Sequence, residues 1–210
     1  MNLQVKASFE CQIKQKVNSQ SKLPSYVNVF AMLLALMFLA PLPSCIADEQ
    51  FDSLVNRGTE LAQSGEFAKA LSWYNKASQL NPRDADCNFD IAQVYKNLKE
   101  YSKSRSFYEK AVEYDPKMGK AWNQLASVCL QLNDFTSAEL AQKKACQFTP
   151  SCRYFNNLAK LYLQQNKLKE ARENLLKASS FPEAKQPEHK DIAENLKWVD
   201  QHLQAKQTGG

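Results

Sequence analysis

Residues 51–82 read FDSLVNRGTELAQSGEFAKALSWYNKASQLNP, residues 85–116 ADCNFDIAQVYKNLKEYSKSRSFYEKAVEYDP, and residues 119–150 GKAWNQLASVCLQLNDFTSAELAQKKACQFTP. The closing prolines, Pro82, Pro116 and Pro150, stand 34 residues apart. Aligned on them, small residues fall in columns: Gly58, Ala92 and Ala126, then Ala77, Ala111 and Ala145. Large apolar residues recur beside them: Leu61 and Tyr95, Phe67, Tyr101 and Phe135, Tyr74 and Tyr108. The steps within a block are mostly three, four and seven, which put residues on one helical face. Each block therefore predicts two helices that approach closely at the small positions.

The breaks agree. Ser64-Gly65-Glu66, Lys99-Glu100, Asn133-Asp134 and Asn166-Lys167 separate the two helices of each unit. Gly and Asn tolerate the left-handed backbone that ends a helix. Asn81, Asp115 and Thr149 precede the prolines, and a pre-proline residue is pushed out of helical geometry. A fourth block runs one residue short, with Ala159 standing 33 residues after Ala126 and Leu158, Tyr162, Leu168, Ala171, Leu175 and Ala178 in the expected places.

This pattern resembles the tetratricopeptide repeat (TPR) family, with Trp122 where that repeat favours tryptophan. The resemblance implies an all-α, right-handed α-solenoid with repeats at about 51–84, 85–118, 119–151 and 152–183, forming an array over 48–183. Ile192, Leu196, Val199 and Leu203 make one further apolar stripe, and 184–206 is read as a helix capping the last repeat's open face. Residues 207–210 are expected to be a loose tail.

Residues 1–47 stand apart. Lys6, Lys14, Lys16 and Lys22 precede an uncharged apolar run from Val29 to Pro43, then Ser44-Cys45-Ile46-Ala47. Basic region, apolar core and small-residue exit predict a secretory signal peptide, cleaved after Ala47. Two other readings stay open. Leu42-Pro43-Ser44-Cys45 resembles a bacterial lipoprotein box with Cys45 as the lipid-bearing residue, although proline is atypical there. An uncleaved anchor is the other, but a bilayer needs about 20 apolar residues and this run is shorter. The expected location is exported (periplasm or extracellular) or membrane-anchored.

The chain is formally +5, and the leader's four lysines and one glutamate account for +3 of it. The near-balance left in 48–210 gives no basic face for nucleic acid. Neither catalysis nor a cofactor is expected. There is no GxSxG, HExxH or phosphate-binding glycine loop, and His189 and His202 are too far apart to ligate one metal from one helix. Cys146 and Cys152 straddle Pro150, where a disulfide is one reading and two packed thiols the other.

The function expected is a protein-interaction scaffold. In the TPR family the first helices line a concave groove. Carried onto this chain, the groove presents Asn97, Lys120, Asn123, Gln124, Arg153, Asn156, Asn157 and Lys160 to a protein or peptide partner. Amide side chains both donate and accept, as a peptide backbone does. The charge also grades from Asp52, Asp86 and Asp90 to Lys120, Arg153 and Lys160, a polarity suited to orienting a segment. Some members grip a terminal carboxylate with lysines, asparagines and an arginine. Here Val55 and Thr59 hold the first-repeat places and Gln124 the arginine's, with Lys120 alone matching. A structural, self-associating or spacer module of a membrane-tethered complex is the alternative.

Overall fold

The computed structural model describes residues 44–208. The chain divides into two units, 1–47 and 48–210. The expected signal peptide, apolar run and lipid-bearing Cys45 lie outside the described residues, apart from helical backbone at 44–47. No helix among the described residues is long and apolar enough to cross a membrane.

Four helix pairs follow in chain order: α1 (Ser44–Gln63) with α2 (Phe67–Leu80), α3 (Ala85–Asn97) with α4 (Tyr101–Tyr114), α5 (Gly119–Gln131) with α6 (Phe135–Phe148), and α7 (Cys152–Gln164) with α8 (Leu168–Ser179). Two short 3-10 turns, Pro182–Lys185 and Pro187–His189, lead into α9 (Lys190–Thr208). Each second helix packs on the next first helix: α2 on α3, α4 on α5, α6 on α7, and α8 on α9. The described residues are an all-α repeat solenoid.

The small columns explain the close pairing. Ala92, Ala111, Ala145 and Ala159 are wholly buried. A Cβ at Gly58 would stand 2.7 Å from Cε1 of Tyr74, so the first pair meets more tightly still. Three buried clusters run along the array, from Leu61 and Tyr74 through Tyr108 and Leu125 to Leu158, Leu175, Ile192 and Val199.

The turns within each pair share one chemistry. Gly65, Lys99, Asn133 and Asn166 all take positive φ, between 56° and 82°. The following N–H reaches back to the carbonyl five residues earlier: Glu66 to Leu61 at 2.8 Å, and Glu100 to Tyr95, Asp134 to Cys129 and Lys167 to Tyr162, each at 2.9 Å. This satisfies carbonyls orphaned at the helix end. Between pairs, Asn81, Asp115 and Thr149 leave helical geometry, with ψ of 87°, 89° and 75°. The Trp122 indole N–H donates to the Pro116 carbonyl at 2.8 Å, tying α5 to its preceding turn.

Two expectations about the terminal helix are corrected. The terminal helix begins at Lys190, not near 184, because Pro182 and Pro187 each open a 3-10 turn first. It runs to Thr208, so the expected tail starts within it. Of the two readings for Cys146 and Cys152, the structure has packed thiols: with Cys87 and Cys129 they are free and buried. Burial pushes the Cys87 and Cys146 thiols up to about 12.

Candidate functional site

The first helices lie beside one another and are joined by polar contacts near the repeat spacing. Lys120 Nζ pairs with Asp86 at 2.6 Å, and Asn157 donates to Asn123 at 2.9 Å, each pair 34 residues apart. Lys96 donates to Gln124 Oε1 at 2.6 Å. Asn156 donates to Asp191 at 2.9 Å across 35 residues, and Lys160 pairs with the same carboxylate at 2.6 Å. These contacts build one surface from α3, α5, α7 and α9.

The terminal helix is therefore more than a lid. Asp191 follows Asn157, and Ala193 follows Ala159, by 34 residues, so α9 holds the register of a fifth first helix. No second helix follows it among the described residues, and Ala193, buried in every earlier copy, is exposed. Trp198 is 45 % exposed and stacks on His202, ring centroids 3.8 Å apart.

The sequence-predicted groove residues fare differently. Asn97, Lys120, Arg153 and Lys160 are exposed, while Asn123, Gln124 and Asn157 are half-buried. Asn156 is corrected: it is 4 % exposed, its NH2 is committed to Asp191, and its carbonyl oxygen is buried rather than offered to solvent. The structure brings Asn123, Asn156, Asn157 and Lys160 together with Asp191, whereas the Asn97 side chain makes no hydrogen bond among the described residues. Gln124 uses its carbonyl on Lys96 and keeps its NH2, and Asn157 uses its NH2 and keeps its carbonyl.

The expected charge gradient is also reshaped. Asp86, Lys120 and Lys160 are consumed in pairs between repeats. Asp52, Asp90 and Arg153 remain without an ion pair among the described residues, leaving acid towards α1–α3 and a cation on α7. The Arg153 guanidinium sits 5.3 Å from the ring centroid of Tyr154.

Three polar residues of this architecture escape sequence reasoning. Ser104 stands in a column of buried alanines (Ala70, Ala138, Ala171) and donates to the Ala92 carbonyl at 2.8 Å. Gln142 takes the place of Tyr74 and Tyr108 and donates to the Tyr154 carbonyl at 3.0 Å and to Asn123 at 3.3 Å. Asp191 lies beyond the repeats. A polar residue interrupting an apolar column is the one signal that marks the first two.

Family comparison matches the TPR repeat at residues 58–99 and the tetratricopeptide repeat at 85–118, 119–152 and 153–184. The chain belongs to the tetratricopeptide repeat family. No curated protein matches it. Solved structures share the fold. YrrB, a TPR protein described as having an unusual peptide-binding site, is 19 % identical with a TM-score of 0.60, over 72 % of this chain and 76 % of YrrB. Pseudomonas aeruginosa PilF is 24 % identical with a TM-score of 0.64, over 77 % of this TPR chain and 74 % of PilF. The first TPR of Spaghetti (RPAP3), bound to the HSP90 peptide SRMEEVD, is 18 % identical with a TM-score of 0.54, over 56 % of this chain and 94 % of that one.

Among the described residues no group of histidine, cysteine and carboxylate side chains would hold a metal ion.

Proposed function

We propose that this chain is a protein-interaction scaffold that binds an extended peptide or protein segment along the groove of its first helices, without chemistry of its own. The observation that carries the reading is the row of half-used amides: Gln124 retains donors, Asn157 an acceptor, and exposed Asn97 both. An extended backbone needs alternating donors and acceptors, and a rigid surface offers them at low ordering cost. That YrrB has a described peptide-binding site and that the Spaghetti TPR holds a peptide support the same use of the fold. With Val55 and Thr59 in the first-repeat clamp places, the ligand chemistry differs from capture of a terminal carboxylate.

The test is selection from a random-peptide library on the full-length chain in mild detergent, followed by NMR mapping of a selected peptide. Shifts should gather at Asn97, Gln124, Arg153 and Asn157. Shifts confined to α2, α4, α6 and α8 remove the groove from consideration.

The scaffold is further proposed to be exported or membrane-tethered. The support is the leader's lysines, apolar run and small-residue exit. Intact mass of the amino terminus after expression distinguishes cleavage after Ala47, a lipid on Cys45, and an uncleaved anchor.

The open outer face of α9, with Ala193 and Trp198 exposed, favours a second reading, a self-associating structural module. Light scattering across a concentration series separates the two, since a monomer throughout argues against assembly.

A further inference from the structure

One column of residues joins each first helix to the one before it. Gln124, Asn157 and Asp191 fill it in α5, α7 and α9, and each bonds to the preceding first helix. The α3 member is Asp90, 34 residues before Gln124. It is half-buried, yet no hydrogen bond or ion pair reaches it among the described residues.

The reason lies in α1. Asp191 is held by Asn156 and Lys160. The corresponding α1 residues are Val55 and Thr59. Valine has nothing to donate, and the Thr59 hydroxyl is engaged with the Tyr74 hydroxyl at 3.0 Å. The same fold thus builds one carboxylate site filled by an amide and an ammonium, and a second, equivalent site to which the preceding first helix supplies no cation.

The surroundings make that site selective. Asp84 at the cap of the same helix, Asp86 and the Cys87 thiol within it, Lys120 from α5, Tyr74 from α2 and Tyr108 from α4 are the titratable groups that act on Asp90 or feel its charge. Lys120 is already bonded to Asp86. Burial pushes the Asp90 carboxyl up to about 6, Lys120 opposes this, and Asp86 and Asp84 add to it. A desolvated carboxylate is stabilised by an incoming cation and repels an anion. With exposed Asp52 also unpaired, this end of the groove complements a basic side chain.

We propose that Asp90 is the specificity anchor of the groove, receiving a lysine or arginine side chain of the bound segment between the first two repeats, in the role Lys160 plays towards Asp191. The proposal rests on the groove reading and adds the chemistry of one ligand position.

The random-peptide selection tests it directly. Peptides enriched on the full-length chain should share one lysine or arginine position. Replacing that residue by glutamine in a synthetic peptide should weaken binding about tenfold, the scale of one charged hydrogen bond. The same replacement should have no effect on Asp90→Asn, closing a double-mutant cycle. Thr59→Lys should fill the site from within, abolish the basic preference, and return the Asp90 carboxyl to the ordinary range in a carbon-13 NMR titration. Selected peptides that map to the groove but lack a basic position, or that keep their lysine dependence on Asp90→Asn or Thr59→Lys, overturn the anchor and leave groove binding standing. No enrichment, or peptides mapping elsewhere, overturns both.

Discussion

Gly58 faces Tyr74 so closely that a methyl group on it would lie 2.7 Å from the ring's Cε1. The ring has little room to retreat, being buried with its hydroxyl held at 3.0 Å from Thr59. Gly58→Ala therefore overpacks α1 against α2, at a cost of about 1–3 kcal/mol. Alanine recovers roughly 1 kcal/mol of helix propensity. Ala92 occupies the same column above Tyr108, so a pair spaced slightly wider accepts the methyl. The net expectation is a loss of about 1 kcal/mol in urea unfolding. A larger loss is expected for Ala111→Leu, where three further carbons have no space. Stability unchanged in both would mean that the small columns do not set helix spacing.

Lys99 holds φ at 60° where the first pair uses Gly65 and the later pairs use Asn133 and Asn166. A side chain with Cβ pays about 1–2 kcal/mol in that region. Glycine removes the penalty but gives back part of it through the freedom of the unfolded chain. Lys99→Gly should gain about 0.5–1 kcal/mol, a rise in Tm of about 2 °C for a domain of this size. Asn133→Gly should gain less, because asparagine already tolerates the conformation. Calorimetry of the two variants side by side checks the ordering.

What the sequence made legible is what sterics enforces on every copy. Pro82, Pro116 and Pro150, the alanine columns and the left-handed turn residues gave the period, the pairing and the breaks, because each is a local requirement repeated unchanged. The polar ladder was not legible, since its partners sit near one repeat apart and change identity at each step. Lys96 meets Gln124, Asn157 meets Asn123, and Asn156 meets Asp191. Asn156 looked exposed because its partner belongs to a helix read as a cap outside the period. Two prolines in the linker hid the fact that α9 keeps the register.

Glu139 is the junction between α6 and the start of α8. Lys143 lies 2.6 Å and Lys167 3.2 Å from its carboxylate, and the Tyr162 hydroxyl donates at 3.3 Å. The Lys143 hydrogen bond, with Lys167 in support and against the cost of burial, holds the carboxyl down to about 2, from an ordinary 4.5. A depressed carboxyl contributes stability that is complete above pH 4.5 and is lost as pH falls through 2. Both lysines are well exposed, so solvent screening limits the contribution to about 1 kcal/mol. Glu139→Gln should lose that amount at pH 7 in denaturant unfolding, with the gap to wild type closing towards pH 2. A gap independent of pH would assign the loss to packing.

Asp90 runs the other way. Its carboxyl is raised to about 6 from 3.8, chiefly by burial. The folded chain therefore binds this proton more tightly than the unfolded chain, and stability falls as pH rises from 3.8 to 6. Above that window the whole cost of an unpaired charge is present, and below it none. Asp90→Asn removes the charge but leaves a half-buried amide with its own desolvation. The expected gain is about 1–2 kcal/mol at pH 7, less than the full shift implies because the group is partly solvated. The gain should vanish below pH 4. The sign separates this carboxylate from Glu139, since a side chain kept for folding loses stability on neutralisation, whereas one kept for a ligand gains it. A destabilised Asp90→Asn at neutral pH would show that the carboxylate already has its cation within the chain.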